Sequence, residues 1–164
     1  MSSEFEPLEG GCTCGQVRYR VLRAPMFVHC CHCTWCQRET GSAFALNVLL
    51  EADVVEVQCG TTEAVNTPTN SGAGQVIHRC PTWRVALWSQ YSSADEAVCF
   101  LRSGTLDAAC TVKPNIHIFR SSKQPWVVLP VEVPAVEAYY NWREMWPSST
   151  ADRYASAVAK HKLT

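Results

Sequence analysis

Five of the ten cysteines in this 164-residue chain fall into two tight clusters, Cys12-Thr13-Cys14 and Cys31-His32-Cys33-Thr34-Trp35-Cys36. Thiolates bind Zn²⁺ at about 2.3 Å, and such short spacings let one segment supply two or three corners of a tetrahedron. Free cysteine is also a common core residue, yet a C-x-C-x2-C following a separate C-x-C is a specific metal-binding pattern. A disulfide framework fits poorly, because Cys30 and Cys31 are adjacent. The N-terminus, Met1 to Pro7, has neither the basic start nor the apolar run of an export signal, and Ser2 stands where myristoylation needs glycine. The expected setting is cytoplasmic, where thiols stay reduced.

A chain of 164 residues is expected to form one domain, and 47% hydrophobic residues supply its core. The net charge is −1, from 14 basic and 15 acidic residues spread along the chain, so the basic stripe of a nucleic-acid binder is missing. No apolar run approaches the ~20 residues of a spanning helix, so no membrane partner is expected.

Short alternating segments dominate the first 130 residues. Val17–Val21 alternates apolar and charged residues with period two. Further runs predict strands at Phe44–Leu49, Val54–Gln58, Gln75–Cys80, Arg84–Trp88, Val98–Arg102, Ile116–Phe119 and Trp126–Leu129. Gly10-Gly11, the Thr67–Gly72 stretch, Ser103-Gly104 and Pro114-Asn115 punctuate them. This pattern predicts a mainly β protein, a compact sandwich or folded-over sheet. One early helix is predicted over 34–40, with Thr34-x-x-Gln37 as a capping box and Gly41 as the left-handed stop. After Pro134 the period changes. Val136 to Trp146 reads as a helix, and Ser149-x-x-Asp152 opens another that carries Tyr154, Ala155, Val158 and Ala159 on one face.

The second cluster offers Cys31, Cys33 and Cys36, three ligands rather than four. Three protein ligands with one open corner is the pattern of a catalytic zinc. Zn²⁺ with three thiolates is a net monoanion and a soft centre, so it suits sulfur chemistry better than hydrolysis. Arg38, just beyond, is a candidate to pair with a substrate carboxylate. His29, His32, His78, His117, Cys30 and Cys99 read as packing or hydrogen-bonding residues, and Cys59 and Cys110 fall in apparent loops.

Gly10-Gly11-Cys12-Thr13-Cys14-Gly15-Gln16-Val17-Arg18-Tyr19 resembles the opening of the glutathione-dependent formaldehyde-activating enzyme family, which includes the CENP-V-like proteins. The run from Cys31 to Phe44 is similar to that family's central motif, and the segments Arg102–Asp107, Pro114–Arg120 and Pro125-Trp126 to its later ones. The resemblance implies a zinc-bound β-tent fold over 9–130, with 131–164 as a helical extension on the same domain. It implies a carbon–sulfur lyase activity, read in reverse as condensing formaldehyde with glutathione, with the catalytic zinc on Cys31, Cys33 and Cys36. It also implies a four-cysteine structural site, built by the first C-x-C and a later F-C-x-x-C-G. Here that later motif is Arg79-Cys80-Pro81-Thr82-Trp83-Arg84, so Trp83 stands where the fourth ligand is expected. The expectation is a weakened zinc site on Cys12, Cys14 and Cys80, with the Trp83 indole packed over it. Water, His78 or Cys99 are candidates for the vacant corner.

Two other functions are compatible with the residues. One is a zinc Lewis-acid enzyme, an isomerase, cyclase or dehydratase acting on another small carbonyl compound. The other is a zinc-stapled binding module without catalysis, which the three-ligand cluster argues against.

Overall fold

The computed structural model describes residues 5–92, 94 and 96–163, so residues 1–4 of the N-terminal stretch lie outside the described residues. The strands are β1 (Leu8–Gly11), β2 (Arg18–Val21), β3 (Phe27–Cys31), β4 (Ala45–Glu51), β5 (Val55–Cys59), β6 (Glu63–Thr67), β7 (Gln75–Arg79), β8 (Ala86–Tyr91), β9 (Val98–Arg102) and β10 (Ile116–Ile118). The helices are α1 (Thr34–Thr40), α2 (Trp142–Met145) and α3 (Ser148–His161). They form a mainly β architecture of two sheets, one ordered β1-β2-β5 and one ordered β10-β3-β4-β9-β8-β7-β6. Every pairing between strands is antiparallel except β10 with β3.

The larger sheet is buried on both faces at its centre. One face carries Val28, Val48, Leu50, Trp88, Cys99 and Leu101, which pack with Val17, Tyr19 and Val21 of the smaller sheet's side. The other face carries Phe27, Cys31, Leu49, Val98, Ile116 and Ile118, and the C-terminal segment covers it with Val136, Tyr140, Trp146, Tyr154 and Ala157. Strands buried on both faces read as continuous apolar runs rather than alternating ones. That explains β3, Phe27-Val28-His29-Cys30-Cys31, which no alternation announces and whose five residues are all buried.

The structure differs from the sequence expectations at several points. Glycines hid β1, whose Gly11 has no room for a side chain because a Cβ there would collide with the Val17 carbonyl. The edge strand β6 is largely exposed and lacks a core face. Trp126–Leu129 is not a strand; Trp126 and Val128 point largely into solvent. The helix expected over 136–146 shrinks to α2. Before it, the chain runs extended beside β10, where the Val136 amide donates to the His117 carbonyl (2.9 Å) and the Phe119 amide to that of Ala138 (3.0 Å). These bonds satisfy backbone groups that an uncovered edge would leave open. Over 34–40 the helix forms as expected, but its N-cap is Cys33 rather than Thr34. Gly41 ends it in the left-handed conformation, φ 61°.

Helix α3 is tied down by polar contacts as well as by aromatic packing. Thr150 Oγ1 donates to the Met26 carbonyl (2.9 Å). Arg153 grips buried Glu51 through Nε (2.9 Å) and Nη2 (2.7 Å), and donates to the Ala24 carbonyl (2.9 Å).

Candidate metal centres and active site

The two faces of the larger sheet receive different cysteine groups. On the face shared with the smaller sheet, Cys12, Cys14 and Cys80 converge; Cys14 Sγ lies 3.3 Å from Cys12 Sγ and 3.5 Å from Cys80 Sγ. Burial first, and then the neighbouring thiols, push the Cys12 thiol up to about 11. Burial acts the same way on Cys80, but the amides of Trp83 and Thr82 and the thiols of Cys14 and Cys12 outweigh it and bring Cys80 down to about 7. The Cys80–Arg84 turn closes with the Arg84 amide donating to the Cys80 carbonyl (2.9 Å). Arg84 takes the left-handed conformation, φ 59°, at the position where the family pattern has glycine. The turn therefore persists without its second cysteine.

Trp83 does not cover this site: the residue is 60% exposed. Nor is His78 free to fill the corner, since Nδ1 lies 3.0 Å from Thr62 Oγ1 and Nε2 lies 3.0 Å from Gln90 Oε1. Its ring also stacks on Trp88. Cys99 is buried in the same apolar core and stands outside the converging sulfurs.

On the opposite face lie Cys31 at the end of β3, Cys33 at the N-cap of α1 and Cys36 in its first turn. Their sulfurs lie within 4.8 Å of one another. The Cys36 amide donates to Cys33 Sγ at 3.3 Å. Left to themselves the three thiols cannot all ionise. Hydrogen bonds from Cys31 and Cys36, helped by the Cys36 and Trp35 amides, drive Cys33 down to about 2 against its burial. Cys31 is raised strongly, first by its hydrogen bonds to Cys33 and Cys36 and then by burial. Cys36 gains from its bond with Cys31, but the Cys33 sulfur and burial win and raise it to about 12. A divalent cation reverses that balance, because a coordinated thiol is deprotonated outright. An all-sulfur donor set suits zinc or another soft metal rather than magnesium or calcium. Both sulfur groups can therefore hold a metal ion.

The loop that presents this second group is held by a polar network. Gln37 Nε2 donates to the carbonyls of His32 (2.7 Å) and Ser122 (2.9 Å), and Gln124 Nε2 donates to Gln37 Oε1 (2.7 Å). Because strand neighbours alternate in direction, His32 turns away from the flanking cysteines. Its Nε2 lies 3.5 Å from Cys30 Sγ and 3.0 Å from His117 Nδ1. Burial, then His117 and Lys123, lower His32 to about 4, and burial lowers His117. Cys30, His32 and His117 form a third buried group of possible ligands, which the sequence does not single out.

Sequence reasoning also passed over the residues in front of the second cluster. Tyr139, about half exposed, stacks on Tyr140 in the C-terminal segment. Tyr91 is held well above the usual phenol range, chiefly by burial, with the sulfurs of Cys36, Cys31 and Cys33 adding to it. Arg102 shares this face, since Cys31 pairs with Ala45, Asn47 lies two residues further along β4, and Asn47 pairs with Arg102. In the sequence it is marked only as an arginine ending the apolar run Val98–Leu101 and opening the family-like segment Arg102–Asp107. Arg38 lies exposed on α1 and makes no hydrogen bond or ion pair among the described residues.

The family model for glutathione-dependent formaldehyde-activating enzymes matches residues 7–122. The chain belongs to that family. Its match spans both sulfur groups and ends just before the C-terminal segment that covers the second one. A crystal structure of a Rhodobacter sphaeroides protein from the Northeast Structural Genomics effort is similar at 18% identity and a TM-score of 0.48, over 78% of this chain and 99% of that one. No curated protein matches the sequence. Among the described residues, no helix is long and apolar enough to cross a membrane.

Proposed function

We propose that this protein is a zinc-dependent carbon–sulfur lyase-type enzyme, acting on the adduct of glutathione with formaldehyde or another small aldehyde. One observation carries this reading: Cys31, Cys33 and Cys36 converge as three sulfur donors, without a fourth protein ligand among the described residues. Zinc bound there supplies Lewis acidity and lowers the pKa of a thiol that joins it. Cys12, Cys14 and Cys80 would hold a second, structural zinc.

The chain's own residues account for the rest of the chemistry. In the condensing direction, the thiol loses its proton, a sulfur–carbon bond forms, and the carbonyl oxygen gains a proton. Breakdown of the adduct reverses each change. Tyr91, at the end of β8 on the same sheet face, is held protonated chiefly by burial and is the candidate donor to the developing alkoxide. The Gln37 network fixes the loop between β3 and α1, holding the donor set in place. Tyr140, Trp146 and Tyr154 of the C-terminal segment pack over this face. The test adds glutathione and formaldehyde to the purified protein and follows the adduct by NMR. Acceleration above the spontaneous rate is expected; no acceleration would point to a different carbonyl substrate.

A further inference from the structure

A cavity of about 720 Å³ opens where the end of α1 meets the ends of β4, β7 and β9. Its walls include Thr40, Phe44, Ala45, Arg79, Arg84 and Arg102. Two of these elements also carry the second sulfur group or its partner: Thr40 Oγ1 donates to the Cys36 carbonyl (2.8 Å), and Ala45 pairs with Cys31. The volume lies within the ordinary range for a small-molecule site, roughly 300–1,000 Å³.

The three arginines are not equivalent. Arg79 is ion-paired with Glu39, which also lines the cavity, and Arg84 with Glu63. Arg102 has no carboxylate partner among the described residues, although it is only 7% exposed. Nη1 donates to Asn47 Oδ1 and Nη2 to Ser89 Oγ (3.0 Å), while Nε has no partner. Both of its hydrogen-bond acceptors are neutral and no carboxylate pairs with it, so an anion docking against the buried guanidinium lowers the cost of its burial. Asn47 and Ser89 fix the guanidinium in one orientation, which suits a planar, bidentate partner.

We propose that Arg102 is the anion anchor of the substrate pocket, and that the site selects thiols bearing a carboxylate. This rests on the reaction proposed above. The anchored carboxylate would place the ligand at the corner of α1 and β4, next to the backbone that carries Cys36 and pairs with Cys31, and Arg79 and Arg84, already paired, would set the rim.

The experiment uses the zinc-loaded full chain and two inert probes, S-methylglutathione and its diethyl ester, with affinities read by calorimetry. Wild-type protein should bind the diacid about 10- to 100-fold more tightly than the diester, as expected for a hydrogen-bonded charge. Arg102→Lys should narrow that gap, and Arg102→Met should close it while zinc content stays unchanged. Equal wild-type affinities, no detectable binding of S-methylglutathione, or a gap that survives in Arg102→Met would each overturn the assignment. So would Arg102→Met losing zinc along with equal affinity for both probes, which would make the arginine a counter-charge to the sulfurs. The wild-type comparison needs no variant to fold. A clear acid preference without turnover of the formaldehyde adduct would remove the reaction and leave the anchor; turnover without acid preference would do the reverse.

Discussion

Restoring the missing sulfur at position 83 is a sharp perturbation, because the turn that would present it is already in place. The Thr82 and Trp83 amides reach Cys80, and Arg84 already holds the φ of 59°. Trp83→Cys deletes an indole that is 60% exposed, so it leaves no core cavity behind. A four-ligand structural zinc site is worth about 10–16 kcal/mol in peptides, so an even share is about 3 kcal/mol per ligand. Zinc should bind the variant about 100-fold more tightly. Adding Arg84→Gly relieves a left-handed non-glycine residue and should contribute about 1 kcal/mol more. Competition against a chromophoric chelator reads the affinity, and thermal unfolding reads the stability. At zinc concentrations near the wild-type dissociation constant, the linkage gain is about 2.3 kcal/mol and the melting temperature of Trp83→Cys should rise by roughly 5–9 °C. Unchanged zinc retention and an unchanged melting temperature in Trp83→Cys would show that Cys12, Cys14 and Cys80 do not share a metal.

Three further outcomes follow from particular residues. Cys33→Ser and Cys36→Ser should abolish turnover with little change in melting temperature, whereas Cys12→Ser, at a core position, should cost about 3 kcal/mol of stability; full activity in either of the first two would remove the second group from the reaction. Arg153→Met leaves the buried Glu51 with only Arg23, so it should destabilise the fold by about 3 kcal/mol in denaturant titration; a loss under 1 kcal/mol would mean that α3 is held by packing alone. His29, lowered to about 4 by burial, stays neutral while the unfolded chain takes up a proton below 6.5. Stability therefore rises with pH across that window: the full contribution, about 3 kcal/mol, is present above 6.5 and gone by 4. His29→Gln should flatten the slope relative to wild type, and an identical pH profile would refute the assignment.

The parts legible in the sequence were those with local signals. Cysteine spacing marked Cys12/Cys14 and Cys31/Cys33/Cys36, while Cys80 joined the first pair only through the family resemblance; Gly41 marked the end of α1, and alternation the strands that face solvent or a single core. Helix α3 also stood out, although it starts at Ser148 after Pro147, with no side-chain cap from Ser149. What stayed hidden depended on the tertiary environment. β3 lacks alternation because both its faces are buried, and the stretch after Pro134 reads as helix but is recruited as an extended cover for β10. Trp83 looked like an apolar lid until the turn carried it outward. Arg102 and Tyr91 come close to the second cluster only through the register of β4, β9 and β8, which no local pattern reveals. The Cys30–His32–His117 contact likewise needs the parallel pairing of β10 with β3.

The central claim is a three-sulfur centre with one corner that accepts a thiol. Zinc-edge X-ray absorption on the purified wild-type protein, with and without glutathione, tests it most directly. The account predicts a mean coordination of three sulfurs and one lighter atom before the thiol is added, with the sulfur count rising once glutathione is present. Four sulfurs at every zinc from the start, or a spectrum that glutathione leaves unchanged, would contradict it.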